Sequence, residues 1–544
     1  MALSAVLLLP RALPAQAERF PAALDRYIAR VLVDGQIPGL AVAIVRNDSV
    51  LVAKGYGVRE LGKPGRVDAN TIFDAASLTK SFTATLAAIL VDRGQLRWDD
   101  PVRRYLPDLA LPDSTLTVRD FLSHGTGLES ANMAWVLTAV DRAEMLRRAR
   151  YLRVVTPPRQ TMLYNNLGYM IAGEAITSAA GKPYEELLRD LIIKPLGLRR
   201  TTSTYEQSAR IPNVARSHAT IAGRQQPIRR ETQREVIAAA ADVQSSVRDL
   251  ARWMRLHLNN GVLDGVRYVS DSTMRAMHRL QVVIPTTPAM RAARLVEDTV
   301  GGYGLGWQVM DYRSHPLIWH TGGGDGQYAY MALLPRDRLG VVVLVNTWSV
   351  PLIHMAIVNR ILDTYLGYEP RDWAAERLAR LPAQRAALDS ATRAMQAMRT
   401  ASPSPLPLAQ YASRYDTPLY GPIWVRAESS GLTLQMGKGQ IADLEYHGGP
   451  FYVLWHDPLY REIYGTHVEF TVSGDTVVGL SMRVNRDDIV ATSAKRAAWQ
   501  PSWLCPGGLS WAMPGRRPLR CAQGRLSAHG SPPRLRHEVS PVRC

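Results

Sequence analysis

The sequence predicts an α+β fold: an antiparallel sheet flanked by helices, with a helical insert, followed by a small all-β barrel domain. Three observations carry this expectation. Apolar, strand-like runs occur near the start of the chain and return after residue 300. Between them, from about Ser77 to residue 280, the pattern is mostly helical. Beyond the proline-rich stretch Ser402-Pro403-Ser404-Pro405-Leu406-Pro407, short β-rich runs alternate with turn signals. A sheet built from both ends of a domain buries its faces under the helices that lie between.

The elements follow in order. Phe20, Leu24, Ile28 and Val31 recur at helical spacing, so residues 19–34 are expected to form a helix. Gly39–Val45 and Val50–Ala53 flank Asn47-Asp48, the signature of a hairpin. Ile72-Phe73 leads into a helix from about Ser77 to Arg93, stopped by Gly94. Strands are expected again at Leu305–Met310, Ala329–Leu334 and Val341–Val345, then helices over 353–367 and 372–399. Further runs at Ile423–Arg426, Leu432–Gln435, Phe451–Trp455, Val468–Val472 and Val477–Val484 are separated by turns such as Ser429-Ser430-Gly431 and Ser473-Gly474-Asp475. The expected domains are therefore 18–385, a linker over 386–407, and an all-β unit over 408–498.

Charge and cysteine usage narrow the function classes. The 544 residues carry 65 basic against 48 acidic side chains, a formal charge of +17. Residues 499–544 hold seven arginines against one acid, a net +6, which leaves +11 for the remainder. The same stretch holds all three cysteines, Cys505, Cys521 and Cys544, so the body of the chain has no Cys nucleophile, Cys-bound zinc or disulfide framework. Rich in Trp, Pro and Arg and without periodicity, 499–544 is expected as a disordered basic tail or the product of a frame shift. No nucleic-acid partner is expected once that tail is set apart. No apolar run reaches the roughly 18–20 residues of a membrane span, so no stable membrane insertion is expected. Ala2–Leu9 followed by Ala15-Gln16-Ala17 reads as a signal peptide over 1–17, and hence a periplasmic or secreted protein.

Three short motifs bear chemistry. Ser77-Leu78-Thr79-Lys80 opens a helix, and a spacing of three puts hydroxyl and amine on one face, close enough to exchange a proton. The helix N-terminus disfavours a further positive charge and offers N–H groups to an oxyanion. Tyr164-Asn165-Asn166 adds a phenol that beside a lysine can hold a lowered pKa and act as base or relay, and an amide that can orient Lys80 or bind a substrate carbonyl. His320-Thr321-Gly322-Gly323-Gly324 follows the strand Leu317-Ile318-Trp319, its glycines leaving room for a substrate backbone and Gly323 placed to donate a second oxyanion hydrogen bond. No HExxH or GxSxG sequence is present, and Gly57–Lys63, which has the GxxxxGK spacing, is followed by Pro64 where a phosphate-cradling loop needs Ser or Thr; this argues against a zinc peptidase, an α/β-hydrolase and a nucleotide-dependent enzyme.

Taken in this order, the three motifs resemble those of the serine β-lactamase and penicillin-binding-protein superfamily, closest to the class C β-lactamase-related serine hydrolases. Asp74–Lys80, Leu122–Leu128, Pro195–Leu198 and Gly302–Trp307 extend the resemblance over about residues 20–367, and the β-rich unit resembles the lipocalin-like domain appended to some of these hydrolases. The resemblance implies a β-lactamase/transpeptidase-like fold, Ser77 as acylated nucleophile, and Lys80 and Tyr164 as the proton-transfer pair. It implies an oxyanion hole from the N–H groups of Ser77 and Gly323, with Asn166, His320, Thr321 and Gly322 contacting substrate. It implies no metal and no cofactor. His320 stands where most true β-lactamases place lysine, so an ester or a D-amino-acid or other peptide is expected as substrate ahead of a β-lactam. A β-lactamase and a non-catalytic penicillin- or peptide-binding sensor are the alternatives. His124 is expected to be structural; Trp307 and Tyr328 belong either to the cleft or to the core.

Overall fold

The computed structural model describes residues 20–229, 233–284, 301–397, 403–485 and 487–494. The expected leader and the basic tail with its cysteines lie outside these residues. Helix α1 (Ala22–Asp34) precedes the hairpin β1 (Gly39–Arg46) and β2 (Ser49–Gly57). At its turn Asn47 and Asp48 have φ of 48° and 66°, the left-handed region that Asn and Asp tolerate best among residues with a Cβ. The long helices that follow are α2 (Thr79–Asp92), α3 (Asn166–Ala180) and α4 (Val247–Leu258). The chain then returns to the sheet as β3 (Val282–Ile284), β4 (Gly301–Tyr303), β5 (Gln308–Tyr312), β6 (His315–Gly324), β7 (Gln327–Leu334) and β8 (Leu339–Val345), before helix α5 (Ile353–Leu366). The strand order is β2-β1-β8-β7-β6-β5-β4-β3, antiparallel throughout.

Both faces of this sheet are covered. In β1, Ala41, Ala43 and Val45 pack into one core with α2, α3 and α4, while Leu40, Val42 and Ile44 pack into a second core with α1 and α5. That is why β1 reads as an unbroken apolar run instead of an alternating one. Helix α2 is buried on nearly every side, with Phe82 stacked on Trp253 at 3.9 Å. Its hydroxyls stay satisfied by bonding back to the helix, as Ser81 does to the Leu78 carbonyl (2.7 Å) and Thr85 to the Ser81 carbonyl (2.8 Å).

Several boundaries differ from the sequence expectation. The strand expected at Leu305 begins at Gln308, because Gly306 turns the chain with φ of 78° and Trp307 is buried against His257 in the core. The helix expected over 372–399 is present as two, Trp373–Ala379 and Leu381–Ala397, so the part of the expected 386–407 linker up to Ala397 is helical. The all-β unit is a closed barrel of eight antiparallel strands: β9 (Ser413–Thr417), β10 (Gly421–Glu428), β11 (Gly431–Met436), β12 (Ile441–Tyr446), β13 (Phe451–Trp455), β14 (Thr466–Ser473), β15 (Thr476–Val484) and β16 (Asp487–Ser493). Strands β9, β12 and β16 escaped the apolar pattern because polar residues interrupt it, as do buried Asp487 and Ser493 in β16, which alternates buried and exposed along its whole length.

The barrel packs on the segment around the short helix Met133–Val136. Gln440 N–H donates to the Leu137 carbonyl (2.9 Å) and the Tyr460 hydroxyl to the Val136 carbonyl (3.4 Å). A Cβ on Gly439 would stand 2.1 Å from the Leu137 oxygen, so the approach requires glycine. No described helix is long and apolar enough to cross a membrane.

Candidate active site

Ser77 lies in a single 3-10 turn, Ala76–Leu78, and not on the α-helix itself, which begins at Thr79. Its neighbour Ala76 holds φ of 44°, a left-handed conformation that costs a residue with a Cβ about 1–2 kcal/mol. Asp74 holds this turn: its Oδ1 accepts from the Ala76 N–H (2.8 Å) and from Gln244 Nε2 (3.1 Å), and its Oδ2 accepts from Arg234 Nη1 (2.6 Å). Arg234 is itself buried and reaches Asp325 at 3.3 Å, so its charge is compensated twice.

Lys80 is fully buried beneath Ser77. Its Nζ lies 3.0 Å from Ser77 Oγ, 2.8 Å from Asn166 Oδ1 and 3.0 Å from the Ala240 carbonyl. Burial pulls its pKa well below 10.5, and the positive charge of Arg234 pulls in the same direction. A neutral amine has two hydrogens and one lone pair. The two oxygens that can only accept take the hydrogens, which leaves the lone pair facing the serine hydroxyl.

Tyr164 and Asn166 flank Lys80 because Asn165 between them is extended (φ −141°, ψ 110°), which turns residues two apart to the same side. Asn165 itself caps α3 through Gly168 N–H (3.0 Å) and donates from Nδ2 to the Glu129 carbonyl (2.7 Å). The Tyr164 hydroxyl hydrogen-bonds Ser77, and the Lys80 amine sits 4.7 Å above its ring. Burial raises the Tyr164 pKa, opposite to the lowering expected from its lysine neighbour, since Lys80 carries no fixed charge to stabilise a phenolate. Tyr164 therefore keeps its proton. Asn166 Nδ2 donates to Asn132 Oδ1 at 3.0 Å, a partner the motifs do not mark.

Strand β6 brings the third motif alongside. A Cβ on Gly322 would fall 2.2 Å from the Ala75 carbonyl, so glycine lets the strand run against the nucleophile turn. Strand β5 pairs with β6 only as far as Trp319, and among the described residues His320–Gly324 has no strand on that edge. Thr321 is half-buried and Gly323 exposed, while His320, Gly322 and Gly324 are buried.

His320 differs from expectation. Its Nδ1 faces the Thr321 carbonyl at 2.5 Å and must carry the proton, so Nε2 accepts from the Tyr303 hydroxyl at 2.7 Å. Burial, with Lys80 nearby, takes its pKa to about 3. A buried, neutral imidazole with both nitrogens engaged is a support for the strand and no anchor for a substrate carboxylate. His124 is likewise buried and neutral; its Nδ1 accepts from Asn165 N–H at 3.1 Å, and its ring packs on Tyr164 at 4.3 Å. Trp307 lies in the core, and half-buried Tyr328 stacks on His354 at 4.7 Å, its ring edge under Gly323. Asn132, Arg234, Ala240 and Tyr303 complete the surroundings. Of these only Tyr303 stood in a segment the sequence singled out.

The beta-lactamase family model matches residues 24–360, more than half of the chain and all of the groups just described except the contacts from the barrel. The chain belongs to the beta-lactamase family. Residues 397–494 match a second model, described as a domain of unknown function (DUF3471). Similar to this beta-lactamase-family chain are the unguisins hydrolase of Aspergillus violaceofuscus, 29% identical over 73% of this chain and 75% of that protein, and the D-alanyl-D-alanine-carboxypeptidase/endopeptidase AmpH of Escherichia coli K12, 26% identical over 59% and 83%. The octameric penicillin-binding protein homologue from Pyrococcus abyssi shares the fold with a TM-score of 0.58, at 22% identity, over 86% of this chain and 99% of that one.

Proposed function

We propose that the protein is a class C-related serine hydrolase that cleaves an amide or peptide bond through an acyl-enzyme on Ser77. One observation carries the reading: a buried lysine amine between two acceptor-only oxygens, with Ser77 Oγ 3.0 Å away as its third neighbour. Lys80 takes the hydroxyl proton as the Oγ–C bond forms and the carbonyl π pair moves onto oxygen. The N–H groups of Ser77 and Gly323 receive that oxyanion. As the intermediate collapses, the C–N bond breaks, the Tyr164 hydroxyl protonates the leaving nitrogen, and Lys80 returns its proton to Tyr164. Water then attacks the acyl carbon while Lys80 takes a water proton, the C–Oγ bond breaks, and Lys80 passes that proton to Ser77 Oγ, releasing the acyl group as its carboxylic acid.

The substrate side follows from β6. Its open edge, with Thr321 and Gly323 accessible, suits an extended acyl donor that pairs with the strand. Neutral His320 supplies no cation, so the favoured substrates lack a carboxylate next to the scissile bond: internal peptide bonds, blocked peptides and simple esters. That the similar proteins include a carboxypeptidase/endopeptidase supports a peptide substrate over a β-lactam, and neutral His320 favours the endopeptidase kind of cleavage. The reading calls for no cofactor and no nucleic acid.

A panel of p-nitrophenyl esters, D-amino-acid p-nitroanilides, an internal D-residue peptide and nitrocefin tests it, with Ser77→Ala as control. Turnover of ester and peptide above nitrocefin, lost in Ser77→Ala, is expected. Turnover of nitrocefin alone would overturn the substrate assignment.

A further inference from the structure

One carboxylate of the barrel holds the loop that adjoins the catalytic groups. Asp487, the first residue of β16, is buried, and its Oδ2 accepts from the Met133 N–H at 2.6 Å across 354 positions of chain. Its Oδ1 accepts from Ser130 Oγ at 3.3 Å, and the Tyr420 hydroxyl of the barrel also bonds to it. The two hydrolase residues it holds bracket Ala131 and Asn132. Ala131 has φ of 43°, a strained conformation that persists only where the surroundings impose it. The other end of this loop is tied to the site as well, since the Glu129 carbonyl accepts from Asn165 Nδ2 at 2.7 Å. Asn132 is thus fixed from both sides, and its Oδ1 receives Asn166 Nδ2 at 3.0 Å while Asn166 Oδ1 receives Lys80 at 2.8 Å.

We propose that the C-terminal barrel is a working part of the active site, with Asp487 as a positioning residue that sets Asn132 and, through it, the Asn166 amide that orients Lys80. An amide with a fixed partner on its nitrogen must present its oxygen to the lysine. Without Asn132 in place the Asn166 amide is free to turn, its NH2 facing the amine and the lysine lone pair no longer directed at Ser77. The carboxylate is needed for its acceptor geometry more than for its charge, because all three of its partners are neutral donors. The inference rests on the Ser77–Lys80 reading above.

A double-mutant cycle in the full-length protein tests it, with kcat/KM for p-nitrophenyl butyrate as readout. Asn132→Ala and Asp487→Ala are each expected to lower kcat/KM about tenfold with KM little changed, and the double variant to be no slower than Asn132→Ala alone, the non-additivity of residues acting in one chain. Asp487→Asn, which keeps an acceptor for Met133 N–H, is expected to restore most of the rate. Tyr420→Phe removes a single hydroxyl from the same carboxylate and gives the same cycle, at about two- to threefold, if Asp487→Ala does not fold. Effects that multiply in the double variant, or a Tyr420→Phe effect undiminished by Asn132→Ala, would overturn the coupling. Ser77→Ala separates the two readings: turnover surviving it overturns the acyl-enzyme, whereas turnover lost in it alongside an additive cycle overturns only the role of the barrel.

Discussion

Lys80 Nζ stands 3.0 Å from Ser77 Oγ, and its two other neighbours, Asn166 Oδ1 and the Ala240 carbonyl, can only accept. The hydrogen-bond arithmetic of that triangle decides which residue is the base. A protonated amine would spend its third hydrogen on Ser77 and have no lone pair with which to take the hydroxyl proton.

Removing the amine removes the proton acceptor. Lys80→Met is expected to lower kcat/KM for an ester by about 10³-fold or more, within the range for loss of a general base, while a competitive peptide ligand still binds. Stopped-flow release of p-nitrophenol measures the first quantity and calorimetric titration the second.

The active form of Lys80 is neutral, so kcat/KM should rise with pH through the Lys80 pKa and level off above it. The inflection is expected far below 10.5 because burial and Arg234 both disfavour the charged amine. Arg234→Gln removes a repelling charge and leaves Asp74 and Asp325 without their cation, and both changes favour protonated Lys80. The inflection should move to higher pH, and the rate at fixed neutral pH should fall. Breaking the buried pair costs about 3–5 kcal/mol of stability, visible as a lower Tm in the same preparation.

Acid stability follows from buried imidazoles. His320 and His354 are held to about 3 and His278 to about 4, and His124 and His257 lie well below 6.5. These rings are neutral in the fold, whereas the unfolded chain takes up their protons below about 6.5. Stability should therefore fall as pH drops from 6.5 toward 4, by about 1.4 kcal/mol per pH unit for each ring. Carboxylates with lowered pKa values, such as Asp48 and Asp99, lose their contribution only below the ordinary carboxylate range near 3.8, so they act outside that window. Denaturant melts at closely spaced pH values report the proton uptake.

Gly322 tests the approach of β6 to the nucleophile turn. A methyl group there meets the Ala75 carbonyl at 2.2 Å, backbone against backbone. Gly322→Ala should push the strand away from Ser77 and cut kcat by about 10²-fold, the scale for loss of an oxyanion donor, with a much smaller effect at neighbouring Gly323, whose Cβ would meet only the Tyr328 ring at 3.4 Å.

The motifs were legible because each is short and contiguous. Ser77 and Lys80 share a turn, Tyr164 and Asn166 share a side of an extended residue, and His320–Gly324 is a single strand. Their surroundings were not, since the Ala240 carbonyl on Lys80, Asn132 on Asn166 and Arg234 on Asp74 come from distant stretches that carry no motif. The roles of His320 and Tyr164 also lay beyond the sequence, because burial and the Tyr303 partner decide their protonation, and neither is a local property. The central sheet was legible where both faces are apolar, as in β1 and β8. Strands β9, β12 and β16 were missed for the converse reason: Asp487 begins β16 as a buried acid, a poor strand signal that is explained by its bond to Met133.

The central claim is tested most directly by intact-mass analysis of the protein quenched during turnover of p-nitrophenyl butyrate, followed by mapping of the modified peptide. The expected result is one butyryl group on the peptide containing Ser77, its rate of formation rising with pH, and no adduct in Ser77→Ala. Turnover without a covalent adduct at any quench time, or a butyryl group that forms unchanged in Ser77→Ala, would contradict it.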